Sequence, residues 1–206
     1  MHLSKIAKLL IVGLCLVVLS GCISTQPRNT ENICDLFSEK PKWYKASVKA
    51  AKKWKSNVSV PMAIMAQESA FKARAKPRMQ YFLGIVPYGR PSSAFGYSQA
   101  LDSTWASYKK QAGSVISRRD NFGDAVDFIQ WYMNATTLRH KIPKTDGYKH
   151  YLNYHEGQGG YARGTYKNKT WLINTAKRVD SRAKLFDQQY KQCSAKLKKN
   201  NRWSLF

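Results

Sequence analysis

Apolar side chains recur every three or four positions through most of this chain, and that spacing predicts helices. The clearest stripe is Leu172, Ala176, Val179, Ala183, Phe186, Tyr190 and Cys193, which predicts one long helix over 170–193. A second runs over 122–140 through Phe122, Ala125, Val126, Ile129, Tyr132 and Met133. Shorter helices are predicted over 41–56, with Tyr44, Val48 and Ala51 on one side, over 101–112, with Trp105 and Tyr108, and over 148–154. Residues 61–72 form another, with Pro61 in a first turn where its missing N–H is not needed. Asp102 or Ser103 falls in the capping region of the 101–112 helix.

Between these helices, residues 73–97 carry Pro77, Gly84, Pro87, Gly89, Pro91 and Gly96. Helices tolerate such punctuation badly. Loops of this length inside a compact domain usually serve function or act as a flap. The apolar patch Tyr81-Phe82-Leu83-Gly84-Ile85-Val86 reads either as a short hairpin arm or as a surface-seeking loop. The expected class is therefore all-α, as one domain over 41–193 with a long Pro/Gly-punctuated loop. A polar tether over 22–40 precedes it and a basic tail over 194–206 follows.

The first 21 residues read as a targeting segment. Lys5 and Lys8 precede the apolar run Leu9 to Leu19, which ends in Ser20-Gly21-Cys22. A basic start, a short apolar stretch and small residues at its end describe a secretory signal. A membrane-spanning helix needs about 20 apolar residues, more than this run supplies. The ending Leu19-Ser20-Gly21-Cys22 resembles a bacterial lipobox, which implies cleavage before Cys22 and lipidation of its thiol. Ile23 stands where lipoproteins retained in the inner membrane carry Asp, so the expected address is the outer membrane, facing the periplasm. After export Cys34 and Cys193 remain, and in an oxidising compartment they are a disulfide candidate.

The formal charge is +23, or +21 once Lys5 and Lys8 leave with the signal. Nucleic acid is the usual partner for such a surplus, but an exported protein rarely meets it, so none is expected. Stem-peptide carboxylates of the cell wall and lipid phosphates are the anions on offer. A merely solvated basic face is the plainer reading.

Chemistry centres on Glu68, one of four glutamates, at the end of the apolar run Met62-Ala63-Ile64-Met65-Ala66-Gln67-Glu68. A carboxyl sheltered from water holds its proton toward neutral pH and suits general acid catalysis. An alternative is the solvated edge of an amphipathic helix. Two further segments accompany it: Ser93-Ala94-Phe95-Gly96-Tyr97-Ser98-Gln99 with Thr104, and Asn153-Tyr154-His155-Glu156-Gly157.

In order and spacing, these three segments resemble the motifs of the soluble lytic transglycosylase family, of lysozyme-like fold, over about residues 60–165. By that resemblance Glu68 falls on the catalytic acid/base and Ser69 on the serine beside it. Ala94, Gly96, Gln99 and Thr104 match the second motif, while Tyr97 and Ser98 replace a Leu-Met pair that lines the sugar groove. Tyr154 matches a tyrosine that helps hold the glutamate, His155 replaces an asparagine, and Gly157 fits the closing glycine. The implied substrate is the glycan strand of peptidoglycan, cut without water to leave a 1,6-anhydro end. One carboxyl then serves as acid and base, where hydrolases use two.

Several assignments stay open from sequence. Ser69 either polarises the substrate or bonds local backbone. Gly96 permits close approach of a saccharide or simply makes a turn. Asp102 is a rival second carboxylate or a helix cap. A hydrolytic lysozyme and a non-catalytic wall-binding module are the competing functions. His150, His155 and Glu156 lack the second cluster that a metal site needs, and neither metal nor cofactor is expected.

Overall fold

The computed structural model describes residues 26–202. The expected signal segment and the expected lipidation of Cys22 fall outside the described residues. Among the described residues seven helices and one hairpin follow in order: α1 (Ile33–Glu39), α2 (Pro41–Lys53), α3 (Ser59–Ser69), β1 (Gln80–Phe82), β2 (Val86–Gly89), α4 (Asp102–Gln111), α5 (Phe122–His140), α6 (Gly147–Arg163) and α7 (Thr170–Arg202). The all-α class expected from the periodicity is the class observed.

α3 is the centre of the molecule. Val60, Met62, Ala63, Ile64 and Met65 are all buried, so this helix is apolar all round instead of on one stripe. It packs against α5, α6 and α7, while α2 covers α5. The Asn57 side-chain oxygen accepts from the Val60 N–H at 2.8 Å, which starts the helix two residues before the expected Pro61. Pro61 still sits in the first turn, where it costs no hydrogen bond. The helix ends at Ala70, whose backbone is left-handed (φ 48).

Other helix ends follow from local chemistry. Asn121 caps α5 by accepting from the Asp124 N–H at 3.1 Å. Asp146 caps α6 through the Lys149 N–H at 2.9 Å, and Gly164 closes that helix in the left-handed region. α6 is longer than the predicted 148–154 because it resumes after a kink at Gly157 (φ 72, ψ 164). Asp102 is not a cap: α4 starts after Leu101, and Asp102 lies in its first turn, paired with Arg119 at 2.7 Å.

The segment 22–40 is not simply a tether. Asn32 caps α1 by accepting from the Cys34 N–H at 2.8 Å, and Ile33, Leu36 and Phe37 are wholly buried against the core. Spacing at i, i+3 and i+4 is helical, but one turn of it was too short to outweigh the polar neighbours. Nor do residues 194–202 form a separate tail, because α7 continues through them and buries Leu197.

α1 is strapped to α7. Gln189 accepts from the Ile33 N–H at 3.0 Å, Arg182 pairs with Glu31 at 2.7 Å, and Cys34 is bonded to Cys193 with Cα atoms 6.0 Å apart. The bridge joins positions 159 residues apart. In the chain-entropy account, so long a loop restricts the unfolded chain by about 5 kcal/mol. Cys34→Ser should therefore lower unfolding free energy by about 2–5 kcal/mol in urea titration, with reductant producing the same loss in the parent and none in the variant.

Candidate active site

Glu68 occupies the last turn of α3, one residue before Ser69 ends it. It is neither fully buried nor freely exposed. Loss of water pushes its carboxyl up to about 7, and a hydrogen bond with the Tyr151 hydroxyl pulls the other way without winning. The carbonyl end of a helix also disfavours a negative charge. The two effects of position agree: this acid keeps its proton at near-neutral pH.

Two tyrosines on one face of α6 stand over it. Tyr151 and Tyr154 are three residues apart, so their rings lie one above the other. Tyr151 is the hydrogen-bonding partner of Glu68. Tyr154 is close enough to feel the Glu68 charge, but its hydroxyl donates to the Ser98 carbonyl at 2.6 Å. The sequence match assigned Tyr154 to holding the glutamate, and it missed Tyr151. Reading the 148–154 helix as an amphipathic face, i and i+3, was the available signal.

The second motif forms a tight loop closed by a bridge between Phe95 and Ala100. Three side chains clamp its backbone. Ser69 donates to the Tyr97 carbonyl at 2.7 Å, Tyr154 to the Ser98 carbonyl, and Gln99 to the carbonyls of Ala75 (2.9 Å) and Gly96 (2.8 Å). Arg119, which sequence reasoning also missed, adds bonds to the Ser93 and Ala100 carbonyls at 2.9 and 2.8 Å. The three motifs therefore do converge, and they do so mainly through loop backbone.

That convergence corrects several expectations. Tyr97 and Ser98 do not line a groove with their side chains, since both are buried. Tyr97 meets Trp43 and Phe122 edge-on at 5.5 and 5.6 Å, and those two rings stack at 4.1 Å. An aromatic ring in that cage buries more apolar area than it would on a wet surface. The Ser69 hydroxyl faces the Tyr97 carbonyl of the loop at 2.7 Å and the Met65 carbonyl of its own helix at 3.2 Å, which is the local backbone role of the two left open. Gly96 (φ 78) makes way for protein, because a Cβ there would lie 2.2 Å from the Arg119 carbonyl oxygen. Asp102 is bound by Arg119 with its side chain 67% exposed, unlike a sheltered second acid.

Beside the loop lies a cavity of about 180 Å³ lined in part by Gln99, Thr104, Tyr132, Tyr154, Glu156 and Gly157. Tyr154 is the residue it shares with the surroundings of Glu68. Glu156 is the opposite of Glu68 in character. Burial works to raise its pKa, but Lys169, Thr165 and His155 together hold it down to about 2. Both of its oxygens are taken, with Lys169 at 2.7 and 2.9 Å and His155 at 3.0 Å. His150 is turned elsewhere, its Nε2 against the Pro143 carbonyl at 3.1 Å, and burial drives it down to about 4. Among the described residues no group of His, Cys, Asp and Glu is arranged to hold a metal.

A family model described as Transglycosylase SLT domain matches residues 10–193. The chain belongs to that family, whose members act on peptidoglycan in the manner of lytic transglycosylases. Comparison with curated proteins and with solved structures finds no match.

Two predictions follow from the electrostatics of Glu68. Its proton is bound more tightly in the folded chain than in the unfolded one, so its contribution to stability is complete below about pH 4.5 and is lost as pH rises to about 7. Glu68→Gln should therefore match the parent near pH 4 and exceed its unfolding free energy by up to about 3 kcal/mol near pH 8. Tyr151→Phe removes a donor to the ionised form, so the Glu68 titration followed by carboxyl NMR should move above 7.

Proposed function

We propose that the protein cuts the β-1,4 bond between N-acetylmuramic acid and N-acetylglucosamine without water and leaves a 1,6-anhydro end. The observation that carries this reading is the Glu68 carboxyl, sheltered at the end of α3 and poised near neutral pH beside Tyr151. Protonated Glu68 gives its proton to the glycosidic oxygen as the bond from that oxygen to C1 breaks. The N-acetyl carbonyl oxygen of the muramyl unit supports the positive charge at C1, as a second carboxylate would in a hydrolase. Ionised Glu68 then takes the proton from the C6 hydroxyl, whose oxygen closes onto C1. Glu68 ends protonated, ready for another strand.

The surroundings support one carboxyl working alone. Glu156 lines the adjoining cavity, but its oxygens are engaged by Lys169, Thr165 and His155, and it stays ionised. The clamped 95–100 loop keeps Tyr154 and the end of α3 in register, as needed for an acid that must reach two oxygens in turn. The accompanying proposal of an outer-membrane lipoprotein anchored through Cys22 rests on the lipobox-like sequence and the apolar run before it.

Digestion of purified sacculi followed by mass spectrometry tests the reaction. Anhydro-muropeptides are the expected product, and reducing ends would instead establish hydrolysis. Glu68→Gln should lower product formation by roughly a thousandfold or more while leaving sedimentation with sacculi unchanged. Since the acid must begin protonated, parent activity should fall tenfold per unit as pH rises beyond about 7.

A further inference from the structure

The hairpin of β1 and β2 is unlike the rest of the surface. Tyr81, Phe82, Leu83, Ile85, Val86 and Tyr88 are between 53% and 79% exposed, and exposure is greatest at the tip, in Leu83 and Ile85. Among the described residues the hairpin packs against no helix. Clusters of this kind mark interaction sites.

Its geometry restricts what can cover it. Neighbouring residues of a strand point to opposite faces. Phe82 pairs with Val86, and Tyr81 with Pro87, so both faces are apolar. The tip turns through Leu83 (φ 51) and Gly84 (φ 76), closed by the Ile85 N–H donating to the Phe82 carbonyl at 3.2 Å. Asn, Asp or Gly ordinarily takes the first of these left-handed positions. Leu83 occupies it and is 79% exposed, which serves no packing inside the fold. A globular partner would cover one face and leave the other wet. A glycan strand could stack a sugar face on Tyr81 or Tyr88 but would leave the aliphatic tip, Leu83 and Ile85, in water. A hydrocarbon layer surrounds both faces and the tip at once.

Charge selects the kind of layer. Exposed Lys72, Arg74, Lys76 and Arg78 precede β1 and exposed Arg90 follows β2. No carboxylate occurs in the sequence between Glu68 and Asp102. The nearby Asp120, 3.6 Å from Arg74, is already held by Arg118 at 3.0 Å. Tyrosines sit between the apolar tip and this basic base, the level at which aromatic rings prefer a membrane interface.

We propose that residues 79–90 form a membrane finger: the apolar tip enters the headgroup–acyl boundary of an anionic lipid bilayer while the cations at its base hold lipid phosphates. Only the tip enters, since the outer edges of a two-stranded ribbon carry unpaired backbone groups that hydrocarbon cannot satisfy. The finger acts beside any acyl chain on Cys22 and is independent of the reaction at Glu68.

The test is amide hydrogen exchange over 79–90 in the full chain. It is mixed with phosphatidylcholine vesicles containing phosphatidylglycerol, with phosphatidylcholine vesicles alone, or with sacculi. Exchange in the hairpin should slow by roughly fivefold or more on the anionic vesicles only, and high salt should reverse it. Leu83→Asp with Ile85→Asp should cancel the slowing while exchange elsewhere matches the parent, showing that the double variant is folded. No slowing on anionic vesicles, equal slowing on both vesicle types, or slowing on sacculi alone would each overturn the proposal.

Discussion

Withdrawal of one carboxyl from water, at the end of a helix whose first seven residues are all buried, is the constraint on which the site depends. Gln67 takes the exposed position of the last turn of α3, while Glu68 beside it is half-buried against Tyr151 of α6. Its carboxyl must either lose its charge or find a donor. Tyr151 supplies one neutral donor, enough to hold the group in place and too little to restore a normal acidity. The result is a carboxyl balanced between its two states near neutral pH.

Glu156 makes the comparison within one molecule. Both glutamates are removed from water, yet one is pushed up to about 7 and the other down to about 2. The difference is the cation: Lys169 and two further donors meet Glu156, and a phenol meets Glu68. Environment sets the two apart, one carboxylate tying α6 to the turn before α7 and the other left without a cation.

The rest of the fold serves to keep that arrangement still. α6 and α7 pack against α3, and the Cys34–Cys193 bridge with its neighbouring hydrogen bonds closes α1 onto α7. The 95–100 loop is pinned from three sides by side chains of α3, α6 and the loop itself. Against this rigid body the exposed hairpin is the element built to meet something else.

Helical class, the α5 boundaries, the α7 stripe and the candidacy of Glu68 were all legible in the sequence, because apolar spacing and an isolated acid in an apolar run are local facts. The sequence also contained the order of the three motifs. It was silent on what those motifs touch. Tyr97 and Ser98 read as groove residues until the Trp43 and Phe122 rings, far away in the chain, enclosed Tyr97. Gly96 read either as room for sugar or as a turn until the Arg119 backbone was seen to fill that room. Tyr151 reaches Glu68 while Tyr154, on the same face of α6, is taken by the Ser98 carbonyl. Local spacing determines which residues share a helix face; only tertiary packing decides which of them meets a partner, since that depends on distances between segments that no local pattern encodes.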